Sequence, residues 1–392
     1  MDGNLNGNLL LVSNYPSDTA YAWWLMEHFW ITQAEIFTQA DHKAYLAYPK
    51  ITSLSKTIMD STIAPVELSL PWRSRKEAIL ARQFIKEHSI SYIYFTDRPY
   101  FSLQYFLMRC YGVKRIIIHD HTPGDRPPVK GIKGALKLLK NATPWFTADR
   151  VLCVSELMRQ RNILNSRIPA RKCTVVQNGV RPIECRNIDK AQLKSDLGLP
   201  PESILVITTG RAHPYKRFDF VIRCAATLRD SHPNLDIVFL LVGDGPAMSE
   251  LQHMILQLNL ENQVRLLGFR NDVHTLLCIS DIALHAALGE GFSLSIVEYM
   301  SAGLPVLVPD IPSVSQAIVH NKTGFIYDKN NFQAAASFVK MLATETQTRL
   351  TMGGAAKQCA NDEYSLDLCT QSFIKTVSDI YAGTLSLKRT EK

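Results

Sequence analysis

Short apolar runs alternate along this chain with segments long enough to hold a crossover helix, and that rhythm limits its fold more than any other feature. Leu9–Val12, Tyr92–Phe95, Arg115–Ile118 and Val151–Val154 read as strands in the first half. Ile204–Thr208, Ile237–Val242, Val264–Leu266, Ile282–His285, Val306–Val308 and Gly324–Tyr327 follow in the second. Near-continuous apolar strands are covered on both faces, and crossovers of this length join parallel neighbours. The pattern predicts an α/β chain with two doubly wound, Rossmann-like parallel sheets. At about 150 residues per domain, 392 residues leave room for two or three domains. Between the halves, NGVRPIECRNIDKAQ carries turn residues Asn178, Gly179 and Pro182 and loses the apolar period. The boundary is therefore expected near 185: a first domain over 1–185, a second over 186–364, and a last helix with its tail over 365–392, capped by Ser365. Ligands of such sheets gather at the carboxyl ends of the strands, so a cleft between the two sheets is the expected site.

The turns that follow the second-half strands carry the chemistry. ILVITT runs into Gly210, and Arg211 and Lys216 then precede a helical pattern. Cations at a strand-to-helix turn suit a phosphate, although a solvated basic loop reads the same way. VGDGP and LGFRND end two further strands in sharp turns, the latter with Gly268, Phe269, Arg270 and Asn271. VGDGP lacks the third glycine of a dinucleotide fingerprint. In HAALGEGFSLSIVEYMSAGLPVLVPD, Glu290 closes a glycine-flanked loop and Glu298 sits on the helix after it. Placed apart, the two carboxylates are expected to accept hydrogen bonds from separate hydroxyls of a polyhydroxylated ligand. The helix is expected to start at Phe292, with the N–H groups of Phe292, Ser293 and Leu294 turned to an anion.

In the first half, RIIIHDHT ends a strand on His119, Asp120 and His121, with no spaced third ligand for a metal. Helical projection of VKGIKGALKLLKN gathers Ile132, Leu136 and Leu139 on one face and Lys130, Lys133, Lys137 and Lys140 on the other, with Trp145 and Phe146 close behind. Such a segment is either a surface helix with a solvated lysine face or a contact for an anionic inner leaflet. The excess of 43 basic over 36 acidic residues, a net +7, suits an anionic partner without pointing to nucleic acid. The eight cysteines are scattered without a CxxC pair and read as reduced thiols rather than a metal or disulfide framework. No apolar run reaches the ~18–20 residues of a membrane span, and Asp2 with Asn4, Asn6 and Asn8 is unlike a signal-peptide start. A cytoplasmic location is expected.

Taken in order, ADRVLCVSE, TVVQNGV, TTGRAHPYKRFD, LVGDGP, LGFRNDV and the E-x7-E element with AGLPVLVPD resemble the retaining glycosyltransferases of family 4, which have the GT-B fold. The likeness spans roughly residues 148–330. It implies two Rossmann-like domains facing a cleft, a final helix crossing back to the first, and a hexose-type sugar moved from a nucleotide-diphosphate donor, UDP- or GDP-sugar, to a glycan or lipid-linked acceptor in cell-envelope polysaccharide or glycolipid synthesis. By the resemblance Arg211 and Lys216 meet the diphosphate and Glu290 the donor sugar. Glu298 would hold the ribose, and Gly268 to Asn271 would border the base. Phe292, Ser293 and Leu294 lie at the donor, and His121, with His119 as the alternative, is the cleft histidine. No cofactor and no bound metal are implied. The chain departs from the family where EGFS and EYMS stand for EGFG and EAMA, at Ser293, Tyr299 and Ser301, and where Ser17, Asp18 and Thr19 replace paired glycines. Two other readings stay in view: a nucleotide-sugar epimerase of the same fold, and a noncatalytic nucleotide-sugar or glycan-binding module, made credible by the EGFS and glycine-loop departures.

Overall fold

The computed structural model describes residues 5–18, 23–124, 127–186 and 188–383. Asp2, Asn4, Thr19 and the tail beyond 383 lie outside the described residues. The chain divides into two units, Met1–Gln177 with Cys369–Lys392, and Asn178–Leu368.

Unit 1 holds a seven-stranded parallel sheet of β1 (Asn8–Val12), β2 (Ala44–Tyr48), β3 (Ala64–Glu67), β4 (Ile90–Thr96), β5 (Arg115–Asp120), β6 (Arg150–Cys153) and β7 (Cys173–Val175). The order is β3-β2-β1-β4-β5-β6-β7. Unit 2 holds β8 (Ile204–Thr209), β9 (Ile237–Val242), β10 (Val264–Gly268), β11 (Ile282–Leu284), β12 (Val306–Pro309) and β13 (Gly324–Tyr327), in the order β10-β9-β8-β11-β12-β13. The parallel α/β architecture follows from the apolar rhythm: IVFLLV of β9 is buried at every position, as a strand packed on both faces must be. Three strands lacked a clear signal. β2 is the alanine-rich AYLAY, β3 is an edge strand with Pro65 and mostly exposed residues, and β7 has three residues.

In both sheets the winding reverses once, between β1 and β4 in unit 1 and between β8 and β11 in unit 2. Loops leaving the carboxyl ends of neighbouring strands diverge at such a point and open a crevice. In unit 2 the floor beside it is main chain. Gly210 N–H donates to Val242 O at 3.0 Å and Gly243 N–H to Gly268 O at 2.8 Å, which ties the turns after β8, β9 and β10 together. Gly243 has φ +135°, and a Cβ there would collide with the Gly210 carbonyl, so the close approach requires glycine.

The core of unit 1 is aromatic, with Phe29, Trp30, Phe37 and Tyr94 fully buried. The Leu366–Tyr381 helix belongs to this unit from Cys369 onward. Its Phe373 packs on Phe29 with ring centroids 4.6 Å apart, and the Tyr381 hydroxyl donates to Gln33 Oε1.

The expectation of eight reduced cysteines is corrected at one pair: Cys185 and Cys278 are joined by a disulfide. They lie 93 residues apart in sequence, so no spacing announces the pair; the fold brings the loop after Ile183 against the Val273–Ile279 helix.

Candidate functional site

The sequence-derived residues of unit 2 collect around the β8/β11 reversal. Past Gly210 the chain leaves Arg211 exposed and turns through a short 3-10 helix, Pro214–Lys216, which points the Lys216 side chain inward. Arg217 follows in the left-handed region at φ +56° and starts the Phe218–Ser231 helix. Lys216 Nζ lies 2.5 Å from Glu290 Oε1, with both side chains about nine-tenths buried. The loop after β11 brings a third group that sequence reasoning missed. His285 is buried, and its Nε2 lies 3.3 Å from the same Glu290 oxygen. Both contacts fall on Oε1, and among the described residues no side-chain hydrogen bond to the other Glu290 oxygen is seen.

Burial alone would raise the Glu290 pKa, but the Lys216 charge and the His285 contact outweigh it and bring the carboxyl down to about 2. For His285 burial dominates and lowers the pKa, with the Lys216 charge acting in the same direction against the Glu290 contact. The imidazole is therefore neutral near pH 7. A neutral ring beside a carboxylate carries its proton on Nε2 and donates it, which leaves Nδ1 a buried acceptor with no hydrogen-bond partner among the described residues. The signal in the sequence was a polar residue closing a buried apolar run, IALH, five positions before Glu290.

The helix after Glu290 runs Leu294–Ser301 with Ser293 at its N-cap, so Phe292 lies before it and not within its first turn. Ser293 is buried and its hydroxyl makes no capping hydrogen bond. Glu298 keeps part of its surface exposed, yet loss of hydration raises its carboxyl to about 7. The next residue explains one departure in EYMS. The Tyr299 hydroxyl accepts from the Thr209 N–H at 2.6 Å and lies 2.9 Å from the Thr209 hydroxyl, tying this helix to the end of β8. Ser301 has a similar duty, accepting from the Ile183 N–H at 2.9 Å. In the turn after β10, Gly268 has φ +63° and Phe269 and Asn271 are exposed. Arg270 is engaged in a two-point pair with Asp272, at 2.8 and 2.6 Å.

His121 belongs to unit 1. His119 is fully buried within β5, 2.5 Å from the Tyr94 hydroxyl, and its ring lies 4.1 Å from that of His121. His121 lies past the strand end, donating its backbone N–H to Asp97 Oδ1 at 2.6 Å, and is only partly buried. Burial lowers its pKa to about 4, against the opposing charge of Asp120. Asp120 is held by Arg161 at 3.2 Å and Asn162 at 2.9 Å.

A doubly wound unit with a lysine–carboxylate–histidine cluster beside its reversal point belongs to the class of α/β proteins that bind their ligands at the strand ends. Two family models match separate stretches: "Glycosyltransferase Family 4" over residues 32–183 and "Glycosyl transferases group 1" over 189–359. Together they account for most of the chain, which belongs to glycosyltransferase family 4. Among relatives, UDP-Gal:alpha-D-GlcNAc-diphosphoundecaprenol alpha-1,3-galactosyltransferase of Escherichia coli is 30% identical over 54% of this chain and 52% of its own. N-acetyl-alpha-D-glucosaminyl L-malate synthase of Bacillus anthracis is 26% identical over 45% of each chain. The chain thus spans about half the length of the curated relatives it matches. Among solved structures, a glycosyltransferase from Rickettsia africae aligns with TM-score 0.76 and 20% identity over 97% of this chain and 99% of its own. Anabaena HepE, solved with UDP and glucose, aligns with TM-score 0.75 and 18% identity over 95% and 100%. These likenesses place the architecture among the GT-B folds.

Proposed function

We propose that this chain moves a hexose-type sugar, with retention of anomeric configuration, from a UDP- or GDP-sugar to a hydroxyl of a glycan or lipid-linked acceptor in cell-envelope synthesis. The observation that carries this reading is the Lys216–Glu290–His285 cluster at the β8/β11 reversal, within one loop of Arg211 and of the Leu294–Ser301 helix start. Arg211 and Lys216 neutralise the diphosphate, and the helix N-terminus adds its partial charge. Glu290 accepts from a hydroxyl of the donor sugar and Glu298 from the ribose, while the exposed turn from Gly268 to Asn271 borders the base. In unit 1, His121 is neutral at physiological pH and serves the sugar as a hydrogen-bonding group.

The reaction needs no protein nucleophile. The bond from the anomeric carbon to the diphosphate oxygen breaks, and the acceptor oxygen bonds to that carbon on the same face. The acceptor proton passes to the leaving phosphate oxygen, whose developing charge the two cations stabilise. The names of the E. coli and Anabaena proteins, one with UDP-Gal and a diphosphoundecaprenol-linked acceptor and the other solved with UDP and glucose, support this choice of donor and acceptor class. Among the described residues no helix is long and apolar enough to cross a membrane. We place the protein in the cytoplasm, meeting the inner face of the plasma membrane peripherally through the exposed Lys130, Lys133 and Lys140; Lys137 is instead engaged with the Asn165 carbonyl.

Thermal-shift screening against UDP-, GDP- and ADP-sugars tests the donor, since a ligand bound only by the folded state raises its stability. The expected result is a shift with a UDP- or GDP-sugar and acceptor-dependent release of the nucleoside diphosphate. Conversion of the sugar with no acceptor present would replace the reading with an epimerase; binding without turnover would replace it with a binding module.

A further inference from the structure

The Gly131–Asn141 helix is mounted backwards. A surface helix of a soluble protein turns its apolar stripe to the core, but here the buried positions are Gly134 and Asn141. That inner face is polar and close-fitting. Asn141 Nδ2 donates to Ser166 O at 2.9 Å and Arg167 O at 3.1 Å, Lys137 Nζ donates to Asn165 O at 3.4 Å, and a Cβ at Gly134 would strike Val129 O. The apolar ridge points away from the protein: Ile132 is 82% exposed, Leu136 62% and Leu139 73%. Lys130, Lys133 and Lys140 are exposed beside it. The helical projection was right that Ile132, Leu136 and Leu139 share a face, but its expectation of four lysines together on the opposite side is corrected, because Lys137 lies on the docked side while Lys130, Lys133 and Lys140 are exposed.

The ridge continues onto the next element. Trp145, 59% exposed, follows in the Pro144–Phe146 turn and meets Phe106 of the Leu103–Cys110 helix at 6.2 Å, beside the exposed Leu103 and Leu107. Lys140 Nζ lies 4.1 Å from the centroid of the Phe101 ring. No Asp or Glu occurs from Pro127 to Phe146.

We infer that this surface enters the interface of an anionic lipid bilayer, with Ile132, Leu136, Leu139 and Trp145 inserted below the headgroups and Lys130, Lys133 and Lys140 against lipid phosphates. Charge complementarity selects this occupant. A narrow aliphatic ridge with Lys133 and Lys140 exposed along one side, Lys130 exposed at the helix start, no acidic residue from Pro127 to Phe146, and an exposed tryptophan in the following turn matches an acyl boundary beneath a negative headgroup layer. The inference rests on the membrane-peripheral reading above and changes its mechanism from lysine attraction to apolar insertion.

The test is sedimentation of the full chain with phosphatidylcholine vesicles, with and without phosphatidylglycerol, at low and high salt. Leu136→Glu with Leu139→Glu alters exposed positions only and should lower partitioning onto anionic vesicles by at least about tenfold at either salt. Lys130→Glu with Lys133→Glu should weaken binding at low salt and lose most of that effect at high salt. In the wild type but not in Trp145→Phe, vesicles should blue-shift part of the tryptophan emission. Partitioning of the leucine double variant equal to wild type overturns the inference, as does a wild type that ignores vesicles and self-associates through this face. The thermal shift with nucleotide sugar separates the two proposals: a chain that binds vesicles but no donor overturns the proposed function alone, and a chain that binds donor but no vesicles overturns this inference alone.

Discussion

Each unit holds a buried carboxylate with a basic partner, Asp120 at the end of β5 in unit 1 and Glu290 on the loop after β11 in unit 2, and the two pairs differ in geometry. In unit 1, Asp120 closes β5 and is held by Arg161 and Asn162, the Asp120 and Arg161 side chains each only 6% exposed. Arg161 also donates to the Thr122 and Gly124 carbonyls, so the guanidinium fastens the chain beyond the strand. In unit 2, Glu290 offers one oxygen to both Lys216 and His285 and keeps the other. A fork-shaped cation that also bonds main chain makes a fastening; a single ammonium on a flexible stem makes a pair that can be reopened. Burial is similar, so geometry and not depth separates the structural pair from the exchangeable one.

The largest expected effect breaks the fastening. Arg161→Ala removes a buried guanidinium bonded to Asp120 and to the Thr122 and Gly124 carbonyls and should cost about 3 kcal/mol of stability, read from urea unfolding. Unfolding at the wild-type midpoint would mean that the unit 1 pair carries no more than its counterpart. Next, Lys216→Ala and Glu290→Ala should each reduce turnover by at least about 100-fold while leaving a folded chain. Wild-type rates in either would remove the cluster from the reaction. His285 acts through Glu290 as a positioning residue, so His285→Phe should lower kcat by about tenfold with a smaller effect on KM, and His285→Gln, which keeps a donor, should recover part of it. Equal kcat in both variants would reduce the histidine to packing. The last prediction is a pH dependence at Glu298. Its folded pKa, about 7, lies above the ordinary 4.5, so the ligand-free protein binds the extra proton between those values and loses stability as pH rises through them. Glu298→Gln should therefore melt higher than wild type above about pH 7 and equally below about pH 4.5. A constant offset at all pH values would show that the carboxyl is not desolvated.

Much of unit 2 was readable because its turns punctuate buried strands: Gly210, Gly243 and Gly268 each end an apolar run, and the three meet in space through main-chain bonds. The lysine–glutamate contact was not readable, since nothing in a separation of 74 residues puts Lys216 against Glu290. His285 was hidden inside a strand-like run, and Tyr299 and Ser301 stood out only as departures from the family pattern, whereas in the fold they are ties to Thr209 and Ile183. Periodicity located the apolar face of the Gly131–Asn141 helix but not the docked one, which is Gly134, Lys137 and Asn141, because the premise that apolar faces turn inward fails there.

The Tyr299 hydroxyl bond to Thr209 sets a fixed gauge. It fastens the helix bearing Glu298 to the strand whose following loop bears Lys216, so those two groups travel as one body. A ligand that touches both must fit a span set in advance by the protein fold, while Arg211, exposed on the same loop, is free to follow it. Unit 2 would then discriminate among ligands by reach before it discriminates by chemistry. Loosening the gauge with Tyr299→Phe should broaden the range of lengths accepted at the expense of affinity for the best-fitting one.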